Sequence, residues 1–136
     1  MSELKNQISQ FIDTNAKIYQ DISLAIHAKP EVSDFEYFAS QTLSEQLKKE
    51  GFEIELPAAG HRTGFAATYK SNKPGPTVVF LAEYDALAGL GHGCGHNVFG
   101  ATSSLAGAAL KSIVDQIGGE VRVYGTPGEE GGQNGS

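Results

Sequence analysis

Basic residues and cysteines are scarce in this chain, and each shortage excludes a class of protein. Ten lysines and arginines stand against 16 acidic residues, which gives a formal net charge of −6 over 136 residues. Nucleic-acid binding relies on clustered positive charge, and no basic cluster here exceeds Lys48-Lys49. Nucleic acid is therefore not an expected partner. The single cysteine, Cys94, cannot form an internal disulfide, which excludes a disulfide-stapled secreted scaffold.

Long apolar runs are also missing. The longest, residues 78–82, is far shorter than the roughly 20 residues that span a bilayer. The first seven residues are mostly polar and lack the apolar stretch of a signal peptide. The sequence therefore predicts a soluble, cytoplasmic chain without a membrane partner. Its length and its 40% hydrophobic content are typical of one globular domain.

The first half of the chain predicts two helices. Apolar residues at i, i+4 and i+7 predict an amphipathic helix over residues 3–28, and Lys29-Pro30 ends it. Asp34 suits the N-cap of a second helix, which Gly51 stops. The apolar stripe of this second helix consists of Phe35, Phe38, Leu43 and Leu47.

The remaining pattern predicts strands around one further helix. Residues 52–56 and 64–69 are typical of half-exposed strands, and the apolar run 77–83 is typical of a strand buried on both faces. Residues 98–117 predict a helix and residues 120–124 a short strand. A strand, a helix and a strand with short links form a parallel βαβ unit. The predicted fold class is α/β, with a mostly parallel sheet flanked by helices.

The βαβ unit predicts where a site would lie. Ligands of open parallel sheets bind beyond the carboxyl ends of the strands, where this chain has the loops 84–97 and 125–136. The polar residues at the first strand end and in its loop are Glu83, Asp85, His92, Cys94, His96 and Asn97. The second loop contains Glu129 and Glu130, between Thr-Pro-Gly and Gly-Gly.

These residue types favour a metal site. Cysteine, histidine and carboxylate are the ligands that Zn²⁺ and similar metals prefer. The glycines around Cys94 let the backbone curl, so that Cys94 and His96 can point at one centre. Of the successive Glu129 and Glu130, one would bind the metal and the other would act as general base on a water molecule.

Structural alternatives exist for several of these residues. His92 and His96 could both cap the following helix, and capping is the expected role of His92; Asp85 could equally be a turn former. Glu129-Glu130 would be interpreted as solvated surface if the His-Cys loop were absent. His27 and His61 have no such context and are expected to be structural or exposed.

Other catalytic motifs fail on particular residues. The glycines at 89–95 lack the third glycine of a dinucleotide loop, and Ala101 replaces the lysine of a P-loop. No G-x-S-x-G elbow is present, which disfavours a serine hydrolase. The remaining catalytic alternative is a Cys94 nucleophile activated by His96.

Three stretches carry a family resemblance: Ala-Glu-Tyr-Asp-Ala-Leu at 82–87, His-Gly-Cys-Gly-His-Asn at 92–97 and Pro-Gly-Glu-Glu-Gly-Gly at 127–132. They resemble metallopeptidase family M 20, and most of all its amidohydrolase branch of aminobenzoyl-glutamate hydrolases, N-acyl-amino-acid hydrolases and dipeptidases. Residues 26–33 resemble that family's opening helix and turn. The resemblance implies an α/β catalytic domain with an inserted lid domain, often dimeric through the lid. It also implies amide-bond cleavage with two zinc or manganese ions.

The resemblance also implies residue roles. Cys94, His96 and Glu130 would be metal ligands, Glu129 would be the general base, and Asp85 would orient the ligand histidine.

Two residues depart from the family pattern. Glu83 stands where the wider family has its first histidine ligand, for which the Cys-x-His loop is the substitute in this branch. Asn97 stands where many relatives have aspartate, which removes a carboxylate from that position.

Family members run to several hundred residues, so residues 1–136 are expected to be the N-terminal part of the catalytic domain, without the lid. Three ligands can hold one zinc, but two metals need more donors than this segment provides. The expected function is metal-dependent hydrolysis of an amide bond in N-acyl amino acids, aminobenzoyl-glutamate or small peptides. The alternative is a catalytically incomplete metal-binding fragment, whose sheet would keep an open, aggregation-prone edge.

Overall fold

The computed structural model describes residues 2–131, which form three helices and one four-stranded sheet. Their order along the chain confirms the α/β class. The elements are α1 (Ser2–Ala28), α2 (Tyr37–Lys49), β1 (Glu53–Glu55), β2 (Phe65–Lys70), β3 (Thr77–Ala82), α3 (His96–Ile117) and β4 (Glu120–Gly125).

The sheet is mixed, with strand order β1-β2-β4-β3. β3 and β4 pair in parallel, with Ala82 opposite Gly125, and α3 connects them as the predicted βαβ unit. β2 runs antiparallel to both β1 and β4. The sheet thus differs from the mostly parallel one expected, because β1 and β2 follow each other through a short connection that reverses the chain.

One face of the sheet is covered by helices. α3 packs on β3 and β4, α2 packs on β1 and β2, and α1 packs on α3. The buried side chains of β2 and β4 alternate with half-buried ones, so the core lies on the helical side. The central core residues include Leu43, Leu47, Phe65, Val121 and Val123.

The predicted N-cap of α2 is wrong. Asp34 has a positive φ of 70° and lies before the helix, which begins at Tyr37. The carboxylate of Glu31 instead accepts hydrogen bonds from the N–H groups of Phe38 and Ala39, at 2.9 Å each. Phe35 consequently lies outside the helical stripe and is exposed.

β3 is exposed within the described residues, although its composition predicted burial on both faces. It forms an edge of the sheet, and Val79 and Leu81 are 42% and 52% exposed. The predicted loop 125–136 has no regular structure over residues 126–131, and its last five residues lie outside the described part. None of the helices described is both long and apolar enough to cross a membrane.

Candidate metal centre and active site

The parallel pairing of β3 and β4 brings their carboxyl ends to one edge of the sheet. The Thr126 N–H donates to the carbonyl oxygen of Ala82 at 2.9 Å, so the segments that follow β3 and β4 start side by side. Glu83 and Asp85 follow β3 directly, whereas Glu129 and Glu130 follow β4. α3 begins between them in sequence, at His96. The loops after β3 and β4, where the sequence predicted a site, therefore meet at this edge.

His96 lies buried at the centre of the cluster, and its two ring nitrogens have different partners. Nδ1 lies 3.0 Å from the carbonyl oxygen of Asp85 and 3.0 Å from its Oδ1. Both partners are acceptors, so they hold the imidazole proton on Nδ1. With the proton on Nδ1, Nε2 is the nitrogen that could bind a metal ion.

Three carboxylates surround Nε2 of His96. Its distances are 3.0 Å to Oε2 of Glu83, 3.6 Å to Oε2 of Glu129 and 3.8 Å to Oε1 of Glu130. Donor atoms of Glu83, His96 and Glu129 lie within 4.8 Å of one another. Imidazole and carboxylate are suitable donors for zinc and related divalent metals. This cluster could therefore hold a metal ion.

The electrostatics of the cluster also favour a cation. Burial raises the pKa of the Glu83 carboxyl, and the neighbouring carboxylates raise it further, against the opposing effect of His96. Among residues 2–131, no lysine or arginine lies within ion-pair distance of these acids. A divalent ion would offset their mutual repulsion.

Asp85 connects the histidine to the glutamate loop. While Oδ1 lies beside Nδ1 of His96, Oδ2 accepts hydrogen bonds from Oγ of Ser33 at 2.9 Å and from the N–H of Glu130 at 2.8 Å. Asp85 is almost fully buried. Such a carboxylate fixes both the tautomer of the ligand histidine and the position of the neighbouring backbone.

Known proteins with similar sequences share this region. The chain is 34% identical over 151 residues to one of the subunits of p-aminobenzoyl-glutamate hydrolase from Escherichia coli K12, covering 97% of the chain and 31% of that protein. It is 35% identical over 146 residues to the Xaa-Arg dipeptidase of Mus musculus, covering 95% of the chain and 33% of that protein. No family model matches the chain.

Solved protein structures are also similar to this chain. A protein of methicillin-resistant Staphylococcus aureus assigned as an aminohydrolase superposes with a TM-score of 0.82 at 28% identity, over 96% of this chain and 36% of that one. A dinuclear metal-binding peptidase of the M 20 family from Bacillus subtilis superposes with a TM-score of 0.63 at 23% identity, over 93% and 36%. The chain belongs to the M 20 peptidase family. It spans about a third of the length of the curated relatives it matches.

Glu83 contributes an oxygen atom to this cluster, although the sequence motifs did not predict it as a ligand. It stands where the resemblance implies a histidine. Its position gave a signal nonetheless, since it follows β3 directly and stands two residues before Asp85. Residues two apart in an extended segment point to the same side.

Cys94 lies outside the group of three donors and is exposed. A hydrogen bond from its thiol to Glu130 raises the pKa of Cys94, and the nearby carboxylates raise it further. A nucleophilic cysteine needs a lowered pKa. This environment therefore disfavours the thiol-nucleophile alternative. A bound cation would reverse the effect and favour the thiolate that ligates metals.

His92 and Asn97 make contacts outside the donor group of Glu83, His96 and Glu129. Neither ring nitrogen of His92 has a hydrogen-bond partner among the described residues, so the predicted capping of α3 is wrong. Its ring stacks on His27, with the centroids 6.3 Å apart. Asn97 donates to the carbonyl oxygen of Ser23 at 3.3 Å and to its Oγ at 3.1 Å, and thereby ties α3 to α1.

Proposed function

We propose that the chain is part of a metal-dependent amidohydrolase or peptidase that cleaves an amide bond in N-acyl amino acids, aminobenzoyl-glutamate or small peptides. The observation that carries the proposal is the convergence of Glu83, Glu129 and Glu130 on Nε2 of His96. Relatives named as an aminobenzoyl-glutamate hydrolase, a dipeptidase and an N-acetyl-L-cysteine deacetylase support this class of reaction.

The proposed ligands are Cys94, His96 and Glu130, and the position of Glu83 adds a further donor. The complete enzyme would hold two ions, zinc or manganese. When bound, such an ion would lower the pKa of a water molecule and polarise the substrate carbonyl. Asp85 holds the proton on Nδ1 of His96 and so keeps Nε2 available as a ligand.

Glu129 would act as the general base. Its side chain is 43% exposed, which lets it reach both the ligand cluster and solvent. In this role its carboxylate accepts a proton from water as the water oxygen attacks the amide carbon. The same proton then passes to the leaving nitrogen as the carbon–nitrogen bond breaks.

The resemblance to family M 20 also supports a proposal for the domain organisation of the full-length protein. Residues 1–136 would be the N-terminal part of a catalytic domain, and an inserted lid and homodimerisation would belong to the full-length protein. A cytoplasmic location and a small-molecule amide substrate complete the proposal.

Substitution of Glu129 tests the proposed base in the full-length protein. Glu129→Gln should retain the metal, because the proposed ligands Cys94, His96 and Glu130 stay in place, and should lose about 10²–10⁴-fold in turnover. Metal content by elemental analysis and kcat on acyl-amino acids are the measurements. Glu45→Gln, on the exposed face of α2, is the matched control. Undiminished turnover in Glu129→Gln would remove Glu129 from the mechanism.

A catalytically incomplete metal-binding fragment is the second candidate. The observation favouring it is that the chain spans only about a third of its relatives. The 136-residue chain should be assayed with zinc, manganese or cobalt against a panel of acyl-amino acids. Metal-dependent hydrolysis by this chain alone would refute the fragment hypothesis. Activity that survives chelators but not alkylation of Cys94 would instead indicate a thiol nucleophile.

A further inference from the structure

Glu36 is a buried glutamate without a role in the proposed mechanism. It directly precedes α2, and its exposed fraction is 0%. Burying a carboxylate is unfavourable unless hydrogen bonds compensate for the lost water. The partners of this side chain therefore indicate why it is there.

Glu36 does not cap its own helix. Its side chain makes no capping hydrogen bond, although it occupies the N-cap position of α2. The first turn is capped from outside, by Glu31, whose two oxygens accept from the N–H groups of Phe38 and Ala39. The carboxylate of Glu36 is therefore free to bind elsewhere.

Both oxygens of Glu36 bind segments that are distant in the sequence. Oε2 accepts a hydrogen bond from the N–H of Gly128 at 2.9 Å, and Oε1 accepts one from Oγ1 of Thr63 at 2.9 Å. Gly128 has a φ of 78° and immediately precedes Glu129 and Glu130. Glu36 thus holds the glutamate loop just ahead of its functional side chains.

The loop is consequently anchored on both sides of Glu129. Glu36 holds the amide of residue 128, and Asp85 holds the amide of residue 130, at 2.8 Å. Glycines at 125, 128 and 131 give this segment more backbone freedom than other residues would. Fixed amides restrict that freedom, and small displacements of ligands or bases are costly in active sites.

We propose that Glu36 is a positioning residue that fixes the backbone at Gly128 and thereby places the carboxylates of Glu129 and Glu130 at the metal centre. This role rests on the proposed function of that centre. It makes Glu36 part of the active site although it does not contact Nε2 of His96.

Three variants of the full-length protein test the role. Glu36→Ala removes both hydrogen bonds. Glu36→Gln retains both, because its amide oxygen can accept from the N–H of Gly128 while its NH₂ donates to the Thr63 hydroxyl. Thr63→Val is the matched control, since it removes the other partner of the same carboxylate and leaves the loop contact intact.

Two measurements distinguish the variants. Amide hydrogen exchange over residues 126–131 reports whether the loop is held, and titration with Co²⁺, followed by its visible absorption, reports the metal centre. Glu36→Ala should exchange faster in this segment and bind Co²⁺ roughly 10–100-fold more weakly. Glu36→Gln and Thr63→Val should both stay close to wild type in loop exchange and Co²⁺ affinity. If Glu36→Ala fails to fold, Glu36→Asp, which withdraws the carboxylate by one methylene, should show the same losses to a smaller extent.

The contrary outcomes are equally specific. Unchanged loop exchange in the folded Glu36→Ala or Glu36→Asp protein would overturn the role, as would faster exchange with unchanged Co²⁺ affinity. Equal losses in Thr63→Val would show that Glu36 contributes only general stability, which also overturns it. If wild type binds no Co²⁺ and hydrolyses no acyl-amino acid, the proposed function fails, and loop exchange alone then decides whether Glu36 holds Gly128.

Discussion

At the residue scale, the chemistry of the site depends on Asp85, which contacts one ring nitrogen of His96 and leaves the other for the glutamates. Asp85 presents two acceptors to Nδ1, and Nε2 then faces the glutamates. The same carboxylate binds the backbone of Glu130. One aspartate therefore couples the tautomer of a proposed ligand to the position of the loop that supplies another.

The buried carboxyl of Glu36 predicts a pH dependence of stability. Burial raises the pKa of Glu36 above its ordinary value of 4.5, against hydrogen bonds from Thr63 and Gly128 that lower it, and nearby Asp85 raises it slightly. A raised pKa in the folded state contributes stability below the unfolded pKa and loses it as the pH rises through the folded value. Glutamine at this position has no such loss.

We therefore expect the free energy of unfolding of wild type to fall relative to Glu36→Gln as the pH rises from below 4.5 towards neutrality. Urea unfolding of both proteins across this range measures the difference. Glu45→Gln, on an exposed position of α2, should show no comparable trend. A difference that is constant with pH would mean that the pKa of Glu36 is the same in both states.

The sequence motifs selected Asp85, His96, Glu129 and Glu130, and the fold brings these four residues together. This was possible because the carboxyl ends of two strands joined by one helix necessarily meet. Glu36 could not be selected in the same way. Its partner Gly128 is 92 residues away, and no local pattern encodes that contact.

At the element scale, local periodicity predicted the helices and strands to within a few residues. The prediction failed at the starts of two helices and in the direction of one strand. α2 begins at Tyr37 rather than after Asp34 because Glu31 caps it. α3 begins two residues earlier than predicted, at His96, because the glycines before it do not prevent a helical start. The direction of β2 depends on its pairing with β4, which the local sequence does not encode.

Close packing of α3 at the end of β3 gives a prediction for Gly100. A Cβ atom there would lie 2.8 Å from the carbonyl oxygen of Glu83 and 3.0 Å from Cδ1 of Leu43. Helix propensity alone would make Gly100→Ala stabilising by about 1 kcal/mol. Overpacking costs about 1–3 kcal/mol, and since a backbone carbonyl cannot rotate away, we expect net destabilisation in urea unfolding.

The control for this effect is Thr102→Ala, on the exposed side of α3. It should change stability by no more than about 0.5 kcal/mol, as exposed substitutions usually do. A Gly100→Ala protein more stable than wild type would show that α3 stands farther from Glu83 than the structure places it.

At the scale of the whole molecule, the open edge of the sheet is the main liability. β3 pairs only with β4 among residues 2–131, and its Val79 and Leu81 are exposed. An apolar edge strand is a template for pairing with another chain. The composition of β3 predicted burial on both faces, which is consistent with another strand or chain segment covering it.

We expect the 136-residue chain to self-associate through β3. Val79→Lys combined with Leu81→Lys should shift it towards monomer, because lysines on an edge strand oppose strand pairing. Sedimentation velocity over a concentration series measures the shift. The matched control carries the same added charge on α1, as Ile18→Lys with Leu24→Lys, both at exposed positions. An equal shift in that control would attribute the effect to net charge rather than to the edge.

The hydrogen bonds that assemble the site also determine when it forms during folding. They join residues separated by 92, 52 and 45 positions, namely Gly128 with Glu36, Ser33 with Asp85, and Glu130 with Asp85. Closing such long loops is entropically costly, so these contacts form after the local elements. Co²⁺ bound only by the finished site should therefore slow unfolding and leave the refolding rate unchanged in stopped-flow experiments. Faster refolding with Co²⁺ would instead place the site in the folding nucleus.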